Sequence, residues 1–149
     1  MSTEAFVALQ VGDVGWLVDL VHLREASVPP PIARTGRSPA WVTGIGSFRG
    51  QVHTVIDMGQ ILSDQRTIAP HLAWATPLHP RHGVALALLW PDMVGLLPKT
   101  EFQPASGSSA EPWVAKHWSD GEGRVWREFN MEAFLASEHG DGRVEEESR

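Results

Sequence analysis

Three of the chain's seven histidines, His71, His79 and His82, fall close together. Imidazole is a common zinc ligand and carries protons near neutral pH. A hydrolytic metal centre built on His79-Pro80-Arg81-His82 would also need a carboxylate partner or an H-E-x-x-H helix, and neither accompanies it. The same residues make good sense as a polar turn between two apolar strands. His22, His53 and His117 lie on alternating segments where a surface position is expected, and His139 lies near the end. No serine stands in a G-x-S-x-G elbow. Gly44-Ile45-Gly46 begins like a dinucleotide fingerprint, but Phe48 and Arg49 follow and no long helix opens there. Asp120 and Glu122 share a turn, with nothing in sequence to bury them or move their pKa. The pattern argues against an enzyme, a bound cofactor or a metal, and leaves a histidine-metal hydrolase as the weakest reading.

Arg49 stands apart. It sits between Phe48 and Gly50 in WVTGIGSFRGQVHTVIDMGQIL, residues 41–62, where two β-rich runs must reverse direction. Its planar, permanently charged guanidinium can hold a carboxylate through two parallel hydrogen bonds. Such a residue serves either to pin a loop or to grip a partner.

The elements that must position it can be followed along the chain. AFVALQV alternates, with Phe6, Ala8 and Gln10 on one side and Val7, Leu9 and Val11 on the other. Gly12 to Gly15 form a turn, and WLVDL at 16–20 returns. Asp19 caps a short helical turn from Val21 to Arg24. VPPP at 28–31 halts regular structure, and a loop runs to Pro39. Trp41 to Phe48 and Gln51 to Ile56 form a hairpin, with Gly44 and Gly46 marking a bend or a close backbone neighbour. Asp57 caps the short helix MGQIL. HLAWATPL and GVALALLW read as buried strands, MVGLLP as another strand, and EFQPASGSSAEP as a loop. WVAKHW and RVWREF form a last hairpin, after which Asn130 caps a helix with Met131, Phe134 and Leu135 on one face. That makes about nine or ten short strands and three short helices, a mainly all-β chain of the barrel or sandwich kind. Each half ends alike, in a hairpin and a capped helix.

Composition narrows the partners. The 149 residues suit one domain, or two small halves sharing a core. No apolar run approaches the ~20 residues of a membrane span, and MSTEAFVALQ does not resemble an export signal. There is no cysteine, hence no disulfide or thiolate metal site, which suits the cytoplasm. A net charge of −6 argues against nucleic acid. The end, 138–149, reads as a disordered acidic tail. Trp16, Trp41, Trp74 and Trp90 are core candidates, whereas Trp113, Trp118 and Trp126 alternate with polar groups and include candidate docking residues.

The stretch 41–62 resembles the signature of CheW-like chemotaxis adaptor domains: a glycine, an apolar strand, an Arg-Gly turn and a strand ending in Asp. Here those positions are Gly44, Arg49, Gly50 and Asp57. AFVALQVGDVGWLVDLVHLREA resembles the family's first hairpin and following turn, with Glu25 at a commonly acidic position. The likeness is close over Ala5–Leu62 and looser over His71–Ala136. It implies two packed SH3-like five-stranded β-barrel subdomains within one domain, 1–137, with interleaved halves of roughly 15–65 and 66–137, the latter together with the N-terminal strand. It also implies an adaptor without catalysis, linking the cytoplasmic tip of a chemoreceptor to a CheA-type histidine kinase within membrane-associated receptor arrays. WVAKHW and GRVWREF look more like the PilI-like branch, serving type IV pili and twitching motility. On this reading Glu25 pairs with Arg49, and the partner meets Arg49, Glu25 and an apolar edge of Val21, Leu23, Val52 and Val55. Gly50 serves backbone geometry. The rival is an SH3-like peptide- or protein-binding module outside chemosensing.

Overall fold

The computed structural model describes residues 4–22, 25–27, 31–34, 39–48, 50–67, 73–75, 86–107 and 113–137, with the backbone alone for 25–27, 48 and 73–75. In chain order the strands begin with β1 (Ala5–Val11), β2 (Val14–Asp19), β3 (Glu25–Ser27), β4 (Val42–Phe48) and β5 (Gln51–Asp57). Helix α1 (Met58–Ser63) comes next, then β6 (Ala73–Ala75), β7 (Leu86–Leu89), β8 (Asp92–Pro98) and β9 (Gln103–Ala105). The hairpin β10 (Val114–Ser119) and β11 (Val125–Phe129) leads into α2 (Met131–Leu135). The mainly β expectation holds.

Two sheets result, ordered β8-β1-β2-β11-β10-β9 and β3-β6-β7-β5-β4. They are not closed barrels: among the described residues no ladder joins β8 to β9 or β3 to β4. Each nevertheless follows one plan. A hairpin (β10–β11 or β4–β5) runs parallel to the second strand of another (β2 or β7), with Arg127 opposite Trp16 and Ile56 opposite Leu88. The chain starts in the first sheet, crosses to the second after β2 and returns after β7. The sequence boundary near residue 65 therefore differs from the sheet boundary, because β6 and β7 pair with β3 and β5.

The likeness extends to detail. Both hairpins carry a register shift near their start, at Val42/Gly44 and Val114/Lys116. Asp57 N–H donates to the Trp41 carbonyl at 2.8 Å, and Asn130 N–H to that of Trp113 at 2.6 Å. Asp57 Oδ1 accepts from Gln60 N–H at 3.2 Å and Asn130 Oδ1 from Ala133 N–H at 3.0 Å, so both expected caps form.

Alternation along the inner strands divides the core into three. Val7, Leu9 and Val11 of β1 join Trp16, Val18, Ile56, Leu86, Leu88 and Phe129 in a layer between the sheets. Phe6 and Ala8 face the other way, against Leu17, Phe102 and Trp126. Val55, Ala87 and Leu89 form the counterpart cluster in the second sheet. A strand buried on both faces needs a continuous apolar run, which AFVALQV and LALLW provide.

Several expected elements change. The first turn is Gly12-Asp13 alone, since β2 begins at Val14. The helical turn after Asp19 is a 3-10 turn over Leu20–His22, with Val21 N–H donating to Asp19 Oδ1 at 3.1 Å. Part of the expected 101–112 loop is strand β9, whose Pro104 is tolerated because β9 lies at a sheet edge.

The last hairpin is locked by Asp120. Its carboxylate accepts from Glu122 N–H at 2.8 Å, Arg124 N–H at 3.0 Å and Trp126 Nε1–H at 3.0 Å. Arg124 then donates to Gln10 at 2.7 Å, tying this turn to the end of β1. The Trp126 hydrogen bond, reinforced by the two backbone donors and the Arg124 charge, holds the Asp120 carboxyl below the ordinary carboxylate range.

Three substitutions check this scheme. Asn130→Ala should cost about 1 kcal/mol in urea unfolding, the usual loss of a cap. Asp57→Ala should cost more, about 2–3 kcal/mol, because Thr67 N–H (2.9 Å) and Oγ1–H (2.6 Å) also donate to this buried carboxylate and would lose their acceptor. Asp120→Asn should destabilise at neutral pH by about 1 kcal/mol. Folding lowers the Asp120 pKa, so its contribution is complete above the unfolded carboxyl value and is lost as pH falls through the lower folded value. The gap between wild type and Asp120→Asn should therefore narrow in acid.

Candidate partner-docking edge

Strand β3 lies at the outer edge of the second sheet, with Glu25 opposite Ala75 and Ala26 opposite Trp74. Val21 precedes it in the 3-10 turn and is 75% exposed. Asp19 orders this turn and also accepts a 2.5 Å hydrogen bond from Lys99, an ion pair that ties the turn to the residue following β8. The Asp19 hydrogen bond raises the Lys99 pKa, against the opposing pull of desolvation.

The tip of the β4–β5 hairpin includes Gly50 at φ +79°, a left-handed conformation that glycine enters freely. Arg49 and Leu23 lie outside the described residues, as do the side chains of Glu25 and Phe48. The expected Arg49–Glu25 pair therefore falls outside them too. Gly44, on the same hairpin, fulfils the expectation of a close backbone neighbour. At φ +152° it lies against the 31–34 segment, and a Cβ there would stand 2.2 Å from the Ala33 carbonyl oxygen.

The two candidate valines of β5 part company. Val52 is 64% exposed and sits opposite Ser47, on the face that also carries Ile45. Val55 is fully buried with Ala87 and Leu89. Residues three apart on a strand point to opposite faces, so both could not line one surface. Val55 is therefore corrected from docking candidate to core. The same alternation buries His53, expected at the surface: it shares the inward face of Val55 and Asp57, and its Nδ1 lies 2.9 Å from the Gln51 carbonyl oxygen. In the ladder β3 and β5 are separated by β6 and β7, so the turn that carries Val21 and the strand that carries Val52 are not neighbours in the sheet order.

Of the tryptophans expected in the core, Trp16 and Trp90 are buried and Trp41 is partly buried; the side chain of Trp74 is outside the described residues. Among the docking candidates, Trp126 is buried beneath Arg124. Trp113 packs edge-on against Phe134, and Trp118 donates to Glu128 at 2.8 Å with Lys116 over its ring. For Trp118 and Trp126 the polar neighbours are ring partners, which is what the alternating sequence concealed. His71, His79 and His82 lie outside the described residues, and among those described no group of three or more His, Asp or Glu could hold a metal ion. No helix among them is long and apolar enough to cross a membrane. Of the apolar docking candidates, Val21 and Val52 are the ones exposed among the described residues.

Substitution separates surface from core. Val21→Glu and Val52→Glu should change unfolding stability by less than about 0.5 kcal/mol. Val55→Ala should cost about 2 kcal/mol or more, because it opens a cavity in the second-sheet core. Denaturant titration of the three variants checks the assignment.

The family model for the CheW-like domain matches residues 5–139. Among solved structures, the scaffolding protein TtCheW from Thermoanaerobacter tengcongensis is similar at a TM-score of 0.73 and 13% identity, covering 97% of this chain and 93% of that one. At that identity the likeness concerns the fold. No curated protein matches the sequence.

Proposed function

The chain belongs to the CheW-like domain family, and on that footing we propose that it is a non-enzymatic adaptor coupling a chemoreceptor to a CheA-type histidine kinase. The observation that carries the proposal is the family match across 5–139. The receptor's helical cytoplasmic tip is to meet the β3 edge and the Arg49 hairpin, with Val21, Leu23 and Val52 supplying apolar contact. Arg49 and Glu25 fix the shape of that surface by pairing. A second surface takes the kinase's related domain. Holding both partners raises the concentration each experiences of the other, so neither contact needs to be tight alone. The adaptor works in the cytoplasm at the receptor array. The likeness of WVAKHW and GRVWREF to the PilI-like branch favours twitching motility through type IV pili as the output.

Pull-down with receptor and kinase fragments from the same genome should recover both with the wild-type protein. A folded protein that binds neither would refute the adaptor role. Arg49→Glu should weaken receptor binding about tenfold, equivalent to ~1.4 kcal/mol. Adding Glu25→Arg should recover part of the loss, and a double variant no better than the single one would remove the pairing.

A further inference from the structure

Val21 belongs to a turn of three residues, Leu20–His22, that is part of neither sheet. Leu20 packs against the inter-sheet core, whereas Val21 stands in water. The direction in which Val21 is presented therefore depends on local bonds, and these centre on the Asp19 carboxylate. Oδ1 accepts the Val21 N–H at 3.1 Å, while Oδ2 accepts from the Lys99 ammonium. The terminal torsion of an aspartate has a broad well, so the backbone bond alone leaves the carboxylate free to swing. A cation on the second oxygen removes that freedom.

Lys99 is itself held by the first sheet. It opens the 3-10 turn Lys99–Glu101 that follows β8. Its N–H donates to the Glu4 carbonyl at 3.4 Å, and its carbonyl accepts from Phe102 N–H at 3.1 Å. Across the order β8-β1-β2, Leu97, Phe6 and Asp19 stand in one rung. The Lys99 side chain passes over the Phe6 ring, with its ammonium 5.3 Å from the centroid, and ends on Asp19. Phe6 is fixed in turn by Phe102 and Trp118, at centroid distances of 5.5 and 5.7 Å. The side chains of Lys99 and Asp19 are 28% and 17% exposed, so water screens this ion pair less than a fully exposed one.

We propose that Lys99 is a positioning residue for receptor docking: acting through Asp19, it holds the turn that presents Val21, without touching the receptor itself. This inference rests on the adaptor reading and on the place of Val21 in it. A turn ordered before the encounter loses less conformational freedom on binding. Removing the ammonium therefore costs affinity while the fold stays intact.

Amide exchange by NMR, together with affinity for a receptor-tip fragment, tests the proposal on the full chain. Lys99→Met keeps an apolar stem over Phe6 and removes the charge. It should leave the circular dichroism spectrum unchanged and speed exchange of the Val21 amide about threefold relative to the amides of β1 and β2. Receptor binding should weaken about threefold to fivefold, and Lys99→Arg should restore most of both effects. In a Val21→Ala background the loss caused by Lys99→Met should shrink, because the two residues act through one contact. Asp19→Asn retains an oxygen for the Val21 N–H but drops the charge. It should match Lys99→Met in receptor affinity, and it carries the same comparison if Lys99→Met loses the native spectrum. An unchanged Val21 amide, a receptor affinity equal to wild type, or full additivity of the Lys99→Met and Val21→Ala losses would each overturn the positioning role alone. A folded wild type that binds no receptor fragment would refute the adaptor reading, and the positioning role with it.

Discussion

The ring of Phe129 meets Trp16 of β2, Trp90 just beyond β7, and Phe134 of α2, with centroids 5.4–5.9 Å apart. Trp90 follows a strand of the second sheet, while the other rings come from the first sheet and its helix. This cluster is where the sheets meet. Edge-on and tilted aromatic contacts contribute ~0.5–1.5 kcal/mol each beyond the area they bury. The larger effect is the layer around them, in which Val7, Leu9, Val18, Ile56, Leu86 and Leu88 are all essentially inaccessible. Either sheet alone would leave that apolar face in water, and a half this small buries too little surface to stand unaided. Each half depends on the other.

That dependence governs where partners can bind. Strands β1, β2, β5 and β7 are committed to the core on both faces over most of their length, so they have little to offer outside. Edge strands, turns and hairpin tips remain. The exposed apolar residues are found there: Val21 beside β3, Val52 near the β4–β5 tip, and Met93, Val94 and Leu96 on β8. A protein that works by holding others can dedicate its interior to rigidity and its margins to contact.

Some of the architecture was legible because it obeys local rules. Phe6 through Val11 announced a strand by their alternation, and the capped helices at Asp57 and Asn130 were predictable from side chains that accept orphan backbone donors. The internal likeness is also visible in the sequence. Trp41-Val42 leads to Asp57-Met58, and Trp113-Val114 leads to Asn130-Met131, at separations differing by one residue. Each tryptophan supplies the carbonyl that receives the cap residue's own N–H. Other features were hidden. Pro104 disguised β9 as loop, since a proline is acceptable in a strand only where an edge makes its missing donor harmless. Val52 and Val55 looked interchangeable until pairing with Ser47 and Gly44 assigned them to opposite faces.

Taken alone, the amino-acid sequence determined the mainly β character, most strand positions, the helix caps, the glycine against a backbone neighbour and the resemblance that carried the functional reading. Each of these depends on side-chain chemistry, local backbone geometry or a short pattern of neighbours. Only the tertiary structure decided that β6 and β7 pair with β3 and β5, that His53 and Trp126 are buried, and that β8 ends its sheet with an apolar row in water. Those outcomes follow from which distant strands come together, because burial on a strand is settled by what packs against each face, not by the residue type.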